Sequence, residues 1–160
     1  MLEAIIIEDE KTALNHLLNA LASQPIDVQV KATLDSVSAG TAYLANAPKA
    51  DIIFSDVQLT DGLSFEIFSE TKTRIPVIFV TGYDQFITNA FEYNSIDYLL
   101  KPVDKDDLAR ALVKYQALEK HFIEHSARTL EQFTRSLVQR RRNRIMVRKG
   151  LEHIDRKSHV

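Results

Sequence analysis

The chain has 160 residues and no cysteine, with 20 Lys plus Arg set against 22 Asp plus Glu for a formal net charge of −2. Apolar residues make up 45 % and charged residues 26 %, values that exclude collagen-like, low-complexity and wholly disordered chains. Without cysteine there are no disulfides, no thiolate nucleophile and no thiolate-bound zinc. No apolar run approaches the roughly 20 residues that span a bilayer. The start, MLEAIIIEDE, turns acidic after about seven residues and lacks a basic start, so it does not resemble a signal peptide. A cytoplasmic protein with no membrane partner is the expectation.

In chain order, strands and helices alternate. Ala4 to Ile7 is a β-branched apolar run that reads as a buried strand. Thr12 to Ser23 carries Leu14, Leu17, Leu18 and Leu21 at helical spacing. Val28, Val30 and Ala32 alternate with polar residues as a second strand, and Ser36 caps a helix reaching about Ala47. Ile52 to Phe54 is a third strand, Thr60-Asp61-Gly62 is turn chemistry, and Phe65 to Thr71 is a helix. Val77 to Val80 is a fourth strand, Gln85 to Tyr93 a short helix, Tyr98 to Leu100 a fifth strand, and Lys105 to about Glu124 a long helix. Five apolar strands, each followed by a helix, predict an α/β fold: a flavodoxin-like (βα)5 doubly wound parallel sheet of order 2-1-3-4-5 with a C-terminal helical extension.

In such sheets ligands bind beyond the carboxyl ends of the strands. Those ends carry Glu8, Asp9 and Glu10, then Ser55 and Asp56, then Thr81, then Lys101 followed by Pro102. One acid after a strand is ordinarily a helix cap or a solvated turn. Here Glu8, Asp9 and Asp56, the Thr81 hydroxyl and the Lys101 amine all fall at one predicted edge. Neighbouring carboxylates about 5 Å apart repel by roughly 3 kcal/mol at an effective dielectric near 20, so they raise one another's pKa or bind a cation. A hard ion such as Mg²⁺ suits an all-oxygen set. An Asp, a magnesium ion, a Lys and a hydroxyl are the parts for phosphoryl transfer to a carboxylate.

The segments IIIEDE, DIIFSDVQLTDG, VIFVTGYDQF and DYLLKP, in that order, resemble the receiver domain of bacterial two-component response regulators over about residues 1–125. AFEYNSIDYLLKPVD is similar to the LytTR (LytR/AlgR) branch. The resemblance implies that Asp56 is the phosphoacceptor. It implies that Glu8, Asp9, Asp56 and the backbone carbonyl of Gln58 hold Mg²⁺, with Asp9 the direct ligand of the acidic pair. Thr81 and Tyr98 match the switch hydroxyl and switch aromatic, Lys101 matches the motif's lysine, and Lys101–Pro102 its cis peptide. The implied partners are a sensor histidine kinase and a second copy docked through helix 4, strand 5 and helix 5. The chain departs from the pattern in four places. Thr60 and Ser64 stand where many receivers have Pro and Gly, Glu8 where Asp is commoner, and Gly82 is small.

Charge divides the chain. Residues 1–127 hold 10 basic and 19 acidic side chains, and residues 128–160 hold 10 and 3. Leu130, Phe133 and Leu137 suggest a helical linker over 126–142, and alternation from Arg144 to Lys149 resembles the first strand of a LytTR DNA-binding domain over 143–160. Such a domain needs about 100 residues, so a truncated one is expected, with DNA a partner of the full-length protein. His121-Phe122-Ile123-Glu124-His125 fits the HxxEH zinc-peptidase pattern, but the chain lacks room for the supporting fold. Phe86, Phe91, Tyr93 and Tyr98 read as core and switch-face residues. The expectation is a phosphorylation-activated regulator of transcription and not an enzyme. The alternatives are an aspartyl-phosphate phosphotransfer enzyme, disfavoured because Gln58 stands where a second Asp acts as acid and base, or a receiver-like interaction module that is never phosphorylated.

Overall fold

The computed structural model describes residues 1–123. The chain divides into two units, Met1–Tyr115 and Gln116–Val160. The expected linker over 126–142, the expected second-domain start over 143–160, and Glu124 and His125 of the HxxEH stretch lie outside the described residues.

The first unit begins with β1 (Leu2–Ile7), α1 (Lys11–Ala22), β2 (Val28–Leu34), α2 (Val37–Ala45) and β3 (Ile52–Ser55). A two-residue antiparallel pair follows, β4 (Gln58–Leu59) with β5 (Gly62–Leu63), then α3 (Phe65–Thr71), β6 (Val77–Thr81), α4 (Ile87–Ala90) and β7 (Ser95–Leu100). A last helix, α5, occupies 105–123 of the described residues. The main sheet is parallel throughout, in the order β2-β1-β3-β6-β7. With the small β4–β5 pair set aside, this is the expected order 2-1-3-4-5.

Strand alternation explains why both faces need helices. In β1, Ala4 and Ile6 join one apolar cluster while Ile5 and Ile7 join the other. Ile52 and Phe54 separate from Ile53 in β3, and Ile78 and Val80 from Val77 and Phe79 in β6, by the same period of two. Leu17 and Leu21 of α1 and Leu108, Ala111 and Leu112 of α5 cover the first face. Leu44 of α2, Ile67 and Phe68 of α3 and Ala90 of α4 cover the second. On that side Phe65 meets Phe79 edge-on at 5.3 Å and stacks on Tyr93 at 5.2 Å. β2, an edge strand, alternates half-buried and exposed residues, as the polar-apolar pattern from Val28 to Ala32 predicts.

Element ends differ from the sequence reading where side chains are polar or packing is thin. Helix α2 is capped as expected, Ser36 Oγ accepting from Ala39 N at 2.9 Å. Helix α4 is shorter than the expected Gln85–Tyr93, because Ala90 is its one buried residue and no side chain caps its start. Strand β7 begins at Ser95 because it pairs with Val77 through a register shift, which carries polar Ser95 and Asp97 into the sheet.

Candidate functional site

The hydrogen-bond ladder itself assembles the site. Asp56 N donates to Ile7 O at 2.9 Å, and Glu8 N donates to Leu34 O at 2.8 Å. The first bond sets Asp56, just past β3, beside the end of β1, and the second ties Glu8, just past β1, to the end of β2. Lys101 N donates to Thr81 O at 2.8 Å, which brings the residue after β7 against the end of β6. The Lys101–Pro102 peptide is cis, as expected.

The side chains converge. Lys101 Nζ lies 2.7 Å from Glu8 Oε1 and 2.9 Å from Asp56 Oδ2. One oxygen each from Glu8, Asp9 and Asp56 falls within 4.8 Å of the others. Glu8 and Asp56 are buried, while Asp9 is exposed. Asp56 Oδ1 accepts from Val57 N at 2.7 Å, Glu8 Oε2 from Glu10 N at 3.1 Å, and Asp9 Oδ2 from Thr60 Oγ1 at 2.7 Å. Burial pushes the Glu8 carboxyl up from 4.5 to about 7; the Lys101 hydrogen bond opposes this and the Asp56 charge reinforces it. Burial also disfavours the charged Lys101, but the hydrogen bonds it donates to Asp56 and Glu8 outweigh it, so the ammonium is held above its ordinary pKa. The lysine is a fixed cation in a pocket of three acids.

Thr81 ends β6 fully buried, and its Oγ1 has no hydrogen-bond partner among the described residues. An orphaned buried hydroxyl costs about 1–3 kcal/mol. Tyr98, in β7, donates its hydroxyl to the carbonyl of Tyr83, and burial raises its pKa. It packs against Phe79 with ring centroids 6.4 Å apart. Gln58 lies in β4 with an exposed side chain. Of the other aromatic residues, Phe86 and Tyr93 pack on the second cluster, whereas Phe91 is exposed.

The contacts of two sites, the Thr60–Asp61 turn and His16, have no signal in the sequence. Thr60 and Asp61 read only as turn residues, yet Thr60 bonds Asp9, and Asp61 accepts from Val37 N at 2.7 Å and Ser38 N at 3.1 Å at the start of α2. Those amide bonds hold the Asp61 carboxyl below its usual pKa. Asp followed by Gly is a turn signal, but nothing in it names a remote helix as partner. His16 is the other case: its Nε2 lies 2.9 Å from Val103 O, tying α1 to the segment after the cis peptide. A cavity of about 310 Å³ opens there, lined by Glu8, His16, Lys101, Pro102 and Val103 among others.

An acidic pocket with a half-buried lysine and a buried hydroxyl, at the carboxyl edge of a parallel five-stranded sheet, has relatives. The family model for the response regulator receiver domain matches residues 4–113. The chain is 32 % identical over 127 residues to the sensory transduction protein LytT of Bacillus cereus, covering 78 % of this chain and 51 % of that protein. It is 34 % identical over 140 residues to an uncharacterized response regulatory protein of Vibrio vulnificus, covering 82 % and 57 %. It thus spans about half the length of these relatives. Among solved structures, the response regulatory domain of mrkE from Klebsiella pneumoniae matches with a TM-score of 0.64 at 24 % identity, over 74 % of this chain and 98 % of that one. At that identity the likeness speaks to the fold. With the family model spanning most of the sheet and all four pocket residues, the chain belongs to the response regulator receiver family, and LytT-type two-component regulators are among its relatives.

Proposed function

We propose that this chain is the phosphorylation-activated receiver of a cytoplasmic two-component system, accepting a phosphoryl group on Asp56 from a sensor histidine kinase. The observation that carries this reading is the convergence of Glu8, Asp9, Asp56 and Lys101 beside the partnerless hydroxyl of Thr81.

The donor set fits a hard divalent cation: oxygen ligands only, one from each of Glu8, Asp9 and Asp56, within 4.8 Å of one another. Glu8, Asp9, Asp56 and the Gln58 carbonyl are the residues that would hold Mg²⁺. When bound, Mg²⁺ would neutralise charge on the carboxylates and on the phosphoryl oxygens.

The chain's own residues do the rest. An Asp56 carboxylate oxygen attacks phosphorus in line; the O–P bond forms as the P–N bond of the donor phosphohistidine breaks, and the imidazole leaves with that electron pair. The Lys101 ammonium, already 2.9 Å from Asp56 Oδ2, stabilises charge on the equatorial oxygens. The product adds up to about two negative charges at the sheet edge. Thr81 Oγ1 then donates to a phosphoryl oxygen, which removes the cost of leaving it unpaired. Tyr98 exchanges its bond to the Tyr83 carbonyl for a place nearer β6. Gln58, exposed and amidic, supplies no second carboxyl for catalytic turnover, so the reading is of a switch and not an enzyme.

A shift from 1 % to 99 % active needs about 5.5 kcal/mol. One charge-assisted hydrogen bond contributes roughly 1.5–3 kcal/mol, so a second contribution is required. Ile87 and Phe91 near α4, Leu100 of β7 and Val113 of α5 are exposed apolar residues, and dimerisation through them would supply it. The output is control of transcription through a LytTR-type DNA-binding domain in the full-length protein. The test is sizing with and without beryllofluoride and Mg²⁺. A shift in oligomer size that disappears in Asp56→Ala supports the reading, and a shift unaffected by that substitution overturns it.

A further inference from the structure

We infer that Thr60 is a positioning residue for the cation site, its hydroxyl fixing the Asp9 carboxylate so that Oδ1 is left as the acceptor for the ion. The inference rests on the metal-site reading proposed above.

Glu8, Asp9 and Asp56 bring six carboxylate oxygens to the pocket, and five of them have partners. Glu8 Oε2 is held by Glu10 N, Asp56 Oδ1 by Val57 N, and Asp9 Oδ2 by Thr60 Oγ1. Lys101 Nζ takes Glu8 Oε1 and Asp56 Oδ2. Among the described residues, Asp9 Oδ1 alone has neither a hydrogen bond nor an ion pair. The other two tethers are backbone amides, supplied by almost any residue at positions 10 and 57. The tether on Asp9 is a side chain, so it depends on the identity of residue 60. Asp9 is exposed and follows the last residue of β1 by two positions, so the sheet does not fix its rotamer.

Thr60 is fit for the task because its loop is itself pinned. Residues 58–59 and 62–63 pair across it, Ser64 N donates to Val57 O at 2.8 Å, and Asp61 binds two amides of α2. Gly62 turns the chain at φ 146°, a conformation that L side chains rarely adopt. A hydroxyl on this loop can therefore hold an exposed carboxylate in one orientation. Outer partners of this kind typically change metal affinity by about 10–100-fold, and an exposed pair belongs at the low end.

The test is calorimetric titration of Mg²⁺ into the 160-residue chain with no phosphoryl donor, with a thermal melt as the check on folding. Thr60→Val, which keeps the shape and drops the hydroxyl, is expected to weaken Mg²⁺ binding about tenfold. Thr60→Ala is expected to match it, and Thr60→Ser to return affinity to within about twofold of the parent, since it keeps the hydroxyl that acts as the outer partner. Unchanged or tighter binding in Thr60→Val or Thr60→Ala overturns the inference, as does a Thr60→Ser protein as weak as Thr60→Val. A parent chain that takes no Mg²⁺, or an Asp9→Asn protein that binds as tightly as the parent, overturns the metal-site reading instead.

Discussion

Glu8→Gln isolates the electrostatic strain of the pocket. The Glu8 carboxyl is buried and its pKa rises from 4.5 to about 7, chiefly through loss of hydration, with the Asp56 charge adding to it. The folded protein therefore holds a proton on Glu8 more tightly than the unfolded chain does. Below pH 4.5 both states are protonated and the stabilisation from that proton is fully present. As pH rises from 4.5 towards 7 the unfolded chain has ionised while the folded one has not, and stability falls until Glu8 ionises in place. At about 1.4 kcal/mol per pH unit, the displacement corresponds to a loss of up to about 3 kcal/mol by pH 8. Glutamine mimics the neutral carboxyl at every pH but surrenders one acceptor, since Glu10 N and Lys101 Nζ now share a single oxygen. The absolute stability of the variant thus combines two opposing effects, and its pH dependence separates them. Urea denaturation in EDTA at pH 5 and pH 8 is the assay. The parent is expected to lose up to about 3 kcal/mol more than Glu8→Gln between the two. Equal losses, or a larger loss in the variant, would refute the placement of a strained carboxyl at this position.

The same group makes cation binding pH-dependent. Mg²⁺ must displace the Glu8 proton below pH 7, so affinity measured by titration calorimetry is expected to fall by up to about tenfold per pH unit there, and Glu8→Gln to remove that dependence. In the core, Phe54 is fully buried on the α1–α5 face. Phe54→Ala is expected to cost about 3–5 kcal/mol in urea denaturation, and a loss under about 1 kcal/mol would mean the strand is not packed as described.

Much of this was legible in the amino-acid sequence, for a physical reason. Parallel strands buried on both faces are short runs of Ile, Val and Phe, and their polar ends stand out against them; Glu8, Asp56, Thr81 and Lys101 could each be found as the first polar residues after an apolar run. Their convergence then followed from strand order. Elements without a periodic apolar pattern were harder to see. The β4–β5 pair has two residues per strand, too few for alternation to register. Helix α4 buries only Ala90, so the apolar residues from Gln85 to Tyr93 overstated its length. Strand β7 hid its first half behind Ser95 and Asp97. Contacts such as Thr60 with Asp9, 51 positions apart, are set by the turn geometry of two loops and have no local signature.

On the proposed function, Asp56 is the one carboxylate of the pocket that accepts a phosphoryl group. Intact-protein mass spectrometry after incubation with acetyl phosphate and Mg²⁺, followed by mapping of the modified peptide, tests it directly. One added phosphoryl group is expected, located at Asp56, lost in Asp56→Ala and dependent on Mg²⁺. Uptake that persists in Asp56→Ala, or that maps to any other residue in the parent chain, would contradict it.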